Sequence, residues 1–180
     1  MLRIGLSGTN WTGKTETIRR FLKVHSKLNI ETISLSPLVN QCPFSMRETQ
    51  TLEGSQWMVE QVKIILDNSN GEVQLFDRTP LDILAFTLYA ENRTNQKNST
   101  LIDDILGLFK YFDIIFHLQP SDKWPVNVHT EQDEIRFALQ IDDYMREAID
   151  RFAIEVVSLP WELTERQQLL SEYLLRSPNI

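Results

Sequence analysis

Near the amino end, Gly8-Thr9-Asn10-Trp11-Thr12-Gly13-Lys14-Thr15 fits the pattern G-x-x-x-x-G-K-[ST]. Each residue type in that pattern has a task. Glycines let backbone N–H groups turn inward around phosphate oxygens, at the start of a helix whose dipole favours anions. Lys14 supplies a mobile cation for the β and γ phosphates, and the Thr15 hydroxyl is suited to ligate Mg²⁺. The loop is therefore expected to bind ATP with Mg²⁺. A chance match in a glycine-containing turn is the bland alternative, and the apolar strand before the loop and amphipathic helix after it argue against that. Trp11 either stacks on a nucleotide or simply occupies a variable position whose side chain points outward.

Such a loop needs an acidic partner to organise metal and nucleophile. The run Val73-Gln74-Leu75-Phe76 reads as a strand ending in Asp77-Arg78. In a parallel sheet the carboxyl ends of the strands share one edge, so Asp77 should lie beside the phosphate loop. There it can hold Mg²⁺ or accept a proton from an acceptor hydroxyl. Arg78 can clamp a phosphate. The competing account has Asp77 capping the next helix and Arg78 in a surface ion pair.

The elements that must position these residues alternate between strand and helix. Strands are expected at Leu2 to Ser7, Thr32 to Leu35, Val73 to Phe76, Ile114 to Leu118 and Ile154 to Leu159. Helices are expected from Lys14 to about Leu28, from Leu52 to Asn68, from Pro80 onward, and in two C-terminal stretches, the last ending near Arg176. The first of those two carries Ile135, Leu139, Met145, Ile149 and Phe152, with Thr130 and Asp133 as a capping signal. Residues 38 to 50 read as irregular, 92 to 100 as an exposed bend, and Gln119 to Thr130 as a loop interrupted by Pro120 and Pro125. The sum is a three-layer α/β/α domain on a five-stranded parallel sheet.

A chain of 180 residues suits one domain with one substantial core. Its net charge of -7 argues against a broad grip on nucleic acid. The lone Cys42 can form neither an intramolecular disulfide nor a cysteine zinc site, so a reducing, cytoplasmic setting is the expectation. No apolar run approaches the roughly 20 residues that cross a bilayer, and the amino end lacks the form of a signal peptide.

The phosphate loop, the strand ending in Asp77-Arg78, and the helix entered by Thr130-Glu131-x-x-Glu134-x-Arg136 resemble the nucleoside and nucleotide kinase branch of P-loop proteins. The nearest likeness is to AAA-domain proteins related to the ribosylnicotinamide kinase domain of NadR-like proteins. Deoxynucleoside and thymidylate kinases are more distant. The resemblance implies a sheet of order 2-3-1-4-5, phosphoryl transfer from ATP, and a lid between the fourth strand and the next long helix, at about residues 119–136. Deoxynucleoside kinases usually carry Glu-Pro after the second strand, with the Glu as base. Ser36-Pro37 stands here, which moves that role to Asp77. Where related lids often carry an arginine, this chain has His129.

Within the lid, Arg136 either reaches the transferring phosphoryl group or pairs with Asp133 at helical spacing. Lys123 reads as a solvated loop residue. The acceptor, a nucleoside, nucleotide or similar small molecule, is expected under residues 38 to 61. Arg47, Gln56, Trp57 and Gln61 are candidates to hold it; Trp57 reads rather as core, and Arg47 and Gln61 are preferred. A homodimer is compatible with this reading. Two other functions stay open: a nucleotide-dependent switch with slow hydrolysis, and a kinase acting on DNA, which the net charge disfavours.

Overall fold

The computed structural model describes residues 1–121 and 132–176. Five strands, β1 (Leu2–Ser7), β2 (Ile30–Ser34), β3 (Val73–Asp77), β4 (Ile114–Leu118) and β5 (Val157–Leu159), pair in parallel in the order β2-β3-β1-β4-β5. This is the expected three-layer arrangement. Strands β1 and β3 are buried on both faces, and the polar residues that interrupt them pair with each other, Arg3 Nε donating to Gln74 Oε1 at 2.7 Å.

Helices α1 (Lys14–Val24) and α7 (Leu163–Arg176) cover one face, where Phe21, Leu170 and Leu174 are buried against Ile4, Leu75 and Phe116. The other face carries α2 (Ser36–Gln41), α3 (Leu52–Asn68), α4 (Pro80–Thr94), α5 (Ser99–Leu106) and α6 (Gln132–Phe152). Its core joins Val59 and Val62 of α3 to Leu84 and Leu88 of α4 and Met145 of α6.

Several local expectations are corrected. Residues 36–41, placed partly in an irregular stretch by the sequence, form α2; Pro37 lies in its first turn, where a missing N–H costs nothing, so the proline begins a helix as well as ending a strand. The bend at 92 to 100 is shorter than expected: α4 runs to Thr94, Asn95 closes it at φ 53°, and the Asn98 side chain caps α5. Helix α5 has no counterpart in the sequence reading. The last strand begins at Val157, not Ile154, because Ala153 at φ 49° ends α6 and the Ile154 N–H still bonds back to the Ile149 carbonyl. The buried stripe of α6 is Ala138, Ile141, Asp142, Met145 and Ala148, with Leu139 turned outward. Lys123, His129, Thr130 and most of the expected lid lie outside the described residues.

Register fixes what meets at the carboxyl edge. Asp77 is level with Leu6 on one side and Ser34 on the other, and Ser7 is level with His117. The loop that leaves central β1 thus emerges between the ends of β3 and β4.

Candidate functional site

The loop from Gly8 to Thr15 is shaped by its backbone. Gly8 stands at φ 146° and Gly13 at φ 83°. A Cβ on Gly8 would come within 2.5 Å of the Leu118 carbonyl oxygen, so the loop can pass the end of β4 only without a side chain there. Trp11 is in the left-handed region at φ 69° and is exposed, a conformation that costs a non-glycine residue about 1–2 kcal/mol. The Thr12 hydroxyl donates to the Thr9 carbonyl at 2.9 Å. Lys14 is buried and donates from Nζ to the carbonyls of Gly8 (2.5 Å) and Thr9 (2.8 Å). Burial, reinforced by the neighbouring Arg78 charge, lowers its pKa to about 8. Thr15 is exposed in the first turn of α1.

Behind the loop stands a residue that the sequence reading missed. Arg166 of α7 is buried and donates to the carbonyls of Thr12 (2.8 Å) and Pro160 (2.6 Å) and to the Thr17 hydroxyl (3.2 Å). Its guanidinium also lies 5.3 Å from the centroid of the Trp161 ring. One signal was available: Arg166, Leu170 and Leu174 form a single buried stripe, and a charge in such a stripe has a partner.

Asp77 ends β3 within the same rim. Burial raises its pKa, opposed by the charges of Lys14 and Arg78 and by a hydrogen bond from Ser34. Its Oδ1 is buried with no hydrogen-bond partner among the described residues. A buried carboxylate oxygen left in that state is costly, and the exposed Thr15 hydroxyl and this oxygen are the donor types that Mg²⁺ takes. The residues present fit that ion.

The helix cap once open to Asp77 belongs elsewhere. Thr79 caps α4: its hydroxyl accepts from Leu81 N at 3.1 Å, while Asp82 Oδ2 accepts from Thr79 N at 2.9 Å. Arg78 is not in a solvated surface pair. It stands at φ 77°, with its side chain 18% exposed, against Asp82, whose side chain is 4% exposed. Nη1 donates to Asp82 Oδ1 (3.1 Å), Nε to Ser36 Oγ (3.1 Å) and Nη2 to Asn10 Oδ1 (2.9 Å). One guanidinium thereby ties the phosphate loop to α2 and α4.

Beside Arg78 opens a cavity of about 130 Å³ that reaches Asn10, Trp11 and Ser36. Met46, Met58, Ile83, Phe86 and Phe137 form its apolar wall, and Arg47, Gln50 and Glu134 its polar edge. The volume is below the roughly 300–1,000 Å³ of clefts that hold whole ligands; it has room for a ring. Phe86 and Phe137 stand 6.1 Å apart, centroid to centroid, across α4 and α6. Arg47 is exposed at φ 60°, and its N–H donates to Gln50 Oε1 at 3.1 Å. Gln50 is held at both ends of its amide, since its Nε2 also donates to Ser55 Oγ at 3.1 Å.

The structure brings together residues 8–15, Asp77, Arg78 and Arg47, but not Gln61 or Arg136. Gln61 is half-buried on α3 and does not line the cavity, where Met58 stands instead. Arg136 is 79% exposed and lies 3.5 Å from Asp133, the pairing that its helical spacing allowed. Trp57 borders a wider groove of about 720 Å³, which touches neither the phosphate loop nor Asp77.

A family model described as an AAA domain matches residues 3–166. No functionally curated protein matches the chain in sequence. Among solved structures, it is similar to deoxyadenosine kinase from M. mycoides bound to dCMP and dCDP, at 17% identity and TM-score 0.64, over 97% of this chain and 98% of that one. Thymidylate kinase from Candida albicans aligns at 17% identity and TM-score 0.61, over 99% and 92%. The YorR protein of Bacillus subtilis, in complex with phosphorylated GDP, aligns at 15% identity and TM-score 0.61, over 96% and 95%. Likeness at these identities establishes the fold.

Proposed function

We propose that this chain, which belongs to the AAA-domain family, is an ATP-dependent phosphotransferase acting on a nucleoside, nucleotide or related small-molecule acceptor. One observation carries the reading. The unpartnered, buried oxygen of Asp77 lies at the rim shared by a phosphate-binding loop and, across Arg78, a ring-sized apolar cavity. A hydrolase needs only the first of those two compartments. Structural likeness to deoxyadenosine and thymidylate kinases supports the same choice.

In this reading the inward N–H groups of residues 8–15 and the α1 N-terminus hold the triphosphate. Lys14 leaves the Gly8 and Thr9 carbonyls for phosphate oxygens, exchanging neutral acceptors for charged ones. Thr15 and Asp77 would hold Mg²⁺, which neutralises phosphate charge when bound. Asp77 orients the acceptor or takes its proton, a task favoured by burial that raises its proton affinity. Arg78 donates to charge developing on the transferred group. The apolar cavity receives a flat ring against the wall that Phe86 and Phe137 form, with Arg47 at its mouth.

The test is incubation of the protein with labelled ATP and Mg²⁺ against a panel of nucleosides, nucleoside monophosphates and oligonucleotides. Label transferred to a small-molecule acceptor is expected. Release of inorganic phosphate alone would replace this reading with a hydrolytic switch, and labelled oligonucleotide with a DNA kinase.

A further inference from the structure

Asp82 divides its two carboxylate oxygens between different tasks. Oδ2 accepts from Thr79 N and closes the capping box of α4, which any short acceptor side chain could do. Oδ1 accepts from Arg78 Nη1. Every nitrogen of that guanidinium is engaged, each by a different segment: Asp82 in α4, Ser36 at the start of α2, and Asn10 in the phosphate loop. A guanidinium carries five N–H groups, so three such bonds leave two. Arg136, at 79% exposure with Asp133 as its ion pair, is the opposite case of an arginine free to move.

We propose, building on the phosphotransferase reading, that Asp82 is a positioning residue: its carboxylate immobilises Arg78 between the phosphate loop and the acceptor cavity. The two remaining N–H groups then meet a phosphate as donors already in place, and no side chain has to be ordered during transfer.

Asp82→Asn separates the two tasks, because the amide oxygen still caps Thr79 N while the negative charge is gone. Its kcat is expected to fall about 10- to 100-fold, with KM for ATP nearly unchanged and the melting temperature close to that of the parent. A lowered melting temperature with parental kcat per folded molecule would make Asp82 a helix cap only and overturn the proposal. Should that variant not fold, Ser36→Ala removes the Nε acceptor without touching α4; a loss of kcat supports the immobilised frame, and parental kcat sinks it. The Arg78 Nε–H resonance gives a readout that needs no turnover. It is expected to be sharp and slow to exchange in the parent and broadened in Asp82→Asn, and an unchanged signal refutes the proposal. If the parent transfers phosphate to nothing, the phosphotransferase reading fails by itself, and that resonance still reports whether Asp82 holds Arg78.

Discussion

The two halves of the site are built by different means. The proposed phosphate side is eight consecutive residues, Gly8 to Thr15, shaped by the torsions of their backbone. The acceptor side is a wall of side chains from Met46, Met58, Ile83, Phe86 and Phe137, drawn from four separate segments. A cradle of main-chain amides tolerates varied side chains, Trp11 among them, provided Gly8 and Gly13 allow the turns. A side-chain cavity changes its shape with each residue. In the proposed reading the first half serves a chemistry shared by many proteins, and the second sets what this one accepts. Arg78, bonded to Asn10 on one side and to Ser36 and Asp82 on the other, is where the halves meet.

The comparison is sharpest at Asp77. Asp77→Asn keeps shape but removes the proposed base, and transfer is expected to fall about 100- to 10,000-fold. Calorimetric ATP affinity should stay within a few-fold of the parent. Parental turnover in this variant would detach Asp77 from the chemistry.

Next comes pH, which should affect the phosphate side alone. The Lys14 pKa is about 8 against an ordinary 10.5, with burial as the main cause. Above that value the free protein carries a neutral amine, and binding a phosphate must take up a proton. ATP affinity is expected to fall as pH rises from 7 to 9, by up to about tenfold over the range. Lys14 affects folding with the opposite sign. The unfolded chain holds the extra proton between about 8 and 10.5, so the contribution of Lys14 to stability improves as pH rises through that window. Flat ATP affinity across pH 7–9 would show that Lys14 stays charged.

On the acceptor side, Phe137→Ala removes one wall of the ring slot. An aromatic contact is worth about 0.5–1.5 kcal/mol, so KM for the acceptor should rise roughly 3- to 10-fold while ATP affinity holds. A matching loss of ATP affinity would mean that the two halves are not separable. The smallest effect is expected from Arg136→Ala. An arginine 79% exposed beside Asp133 contributes little, and turnover within about twofold of the parent is expected. A large loss would restore Arg136 as a residue that reaches the transferred group.

Legibility in the sequence followed the range of the interactions. The phosphate loop, the run ending in Asp77-Arg78 and the boundaries of β1, α3 and β4 depend on neighbours within a few residues, and they were read from pattern. Helix α2 was missed because a proline after a strand reads as a stop, and only in place does Pro37 open a helical turn. Gln61 was favoured because amides suit base edges. The rotation of α3 instead turns Met58 to the cavity, and rotation is set by what the helix packs on.

Residue order by itself determined the glycine-bounded loop, the lysine within it and the acidic strand end, since glycine torsions, a Lys-Thr pair and strand alternation are local properties. Tertiary structure alone decided that Arg166 braces the cradle from 154 positions away in sequence and that Asp82 restrains Arg78. It also decided that α4 and α6 bring two phenyl rings to one slot. Those contacts are formed by elements brought together across the sheet, and their energies exist only once the core has set the distances.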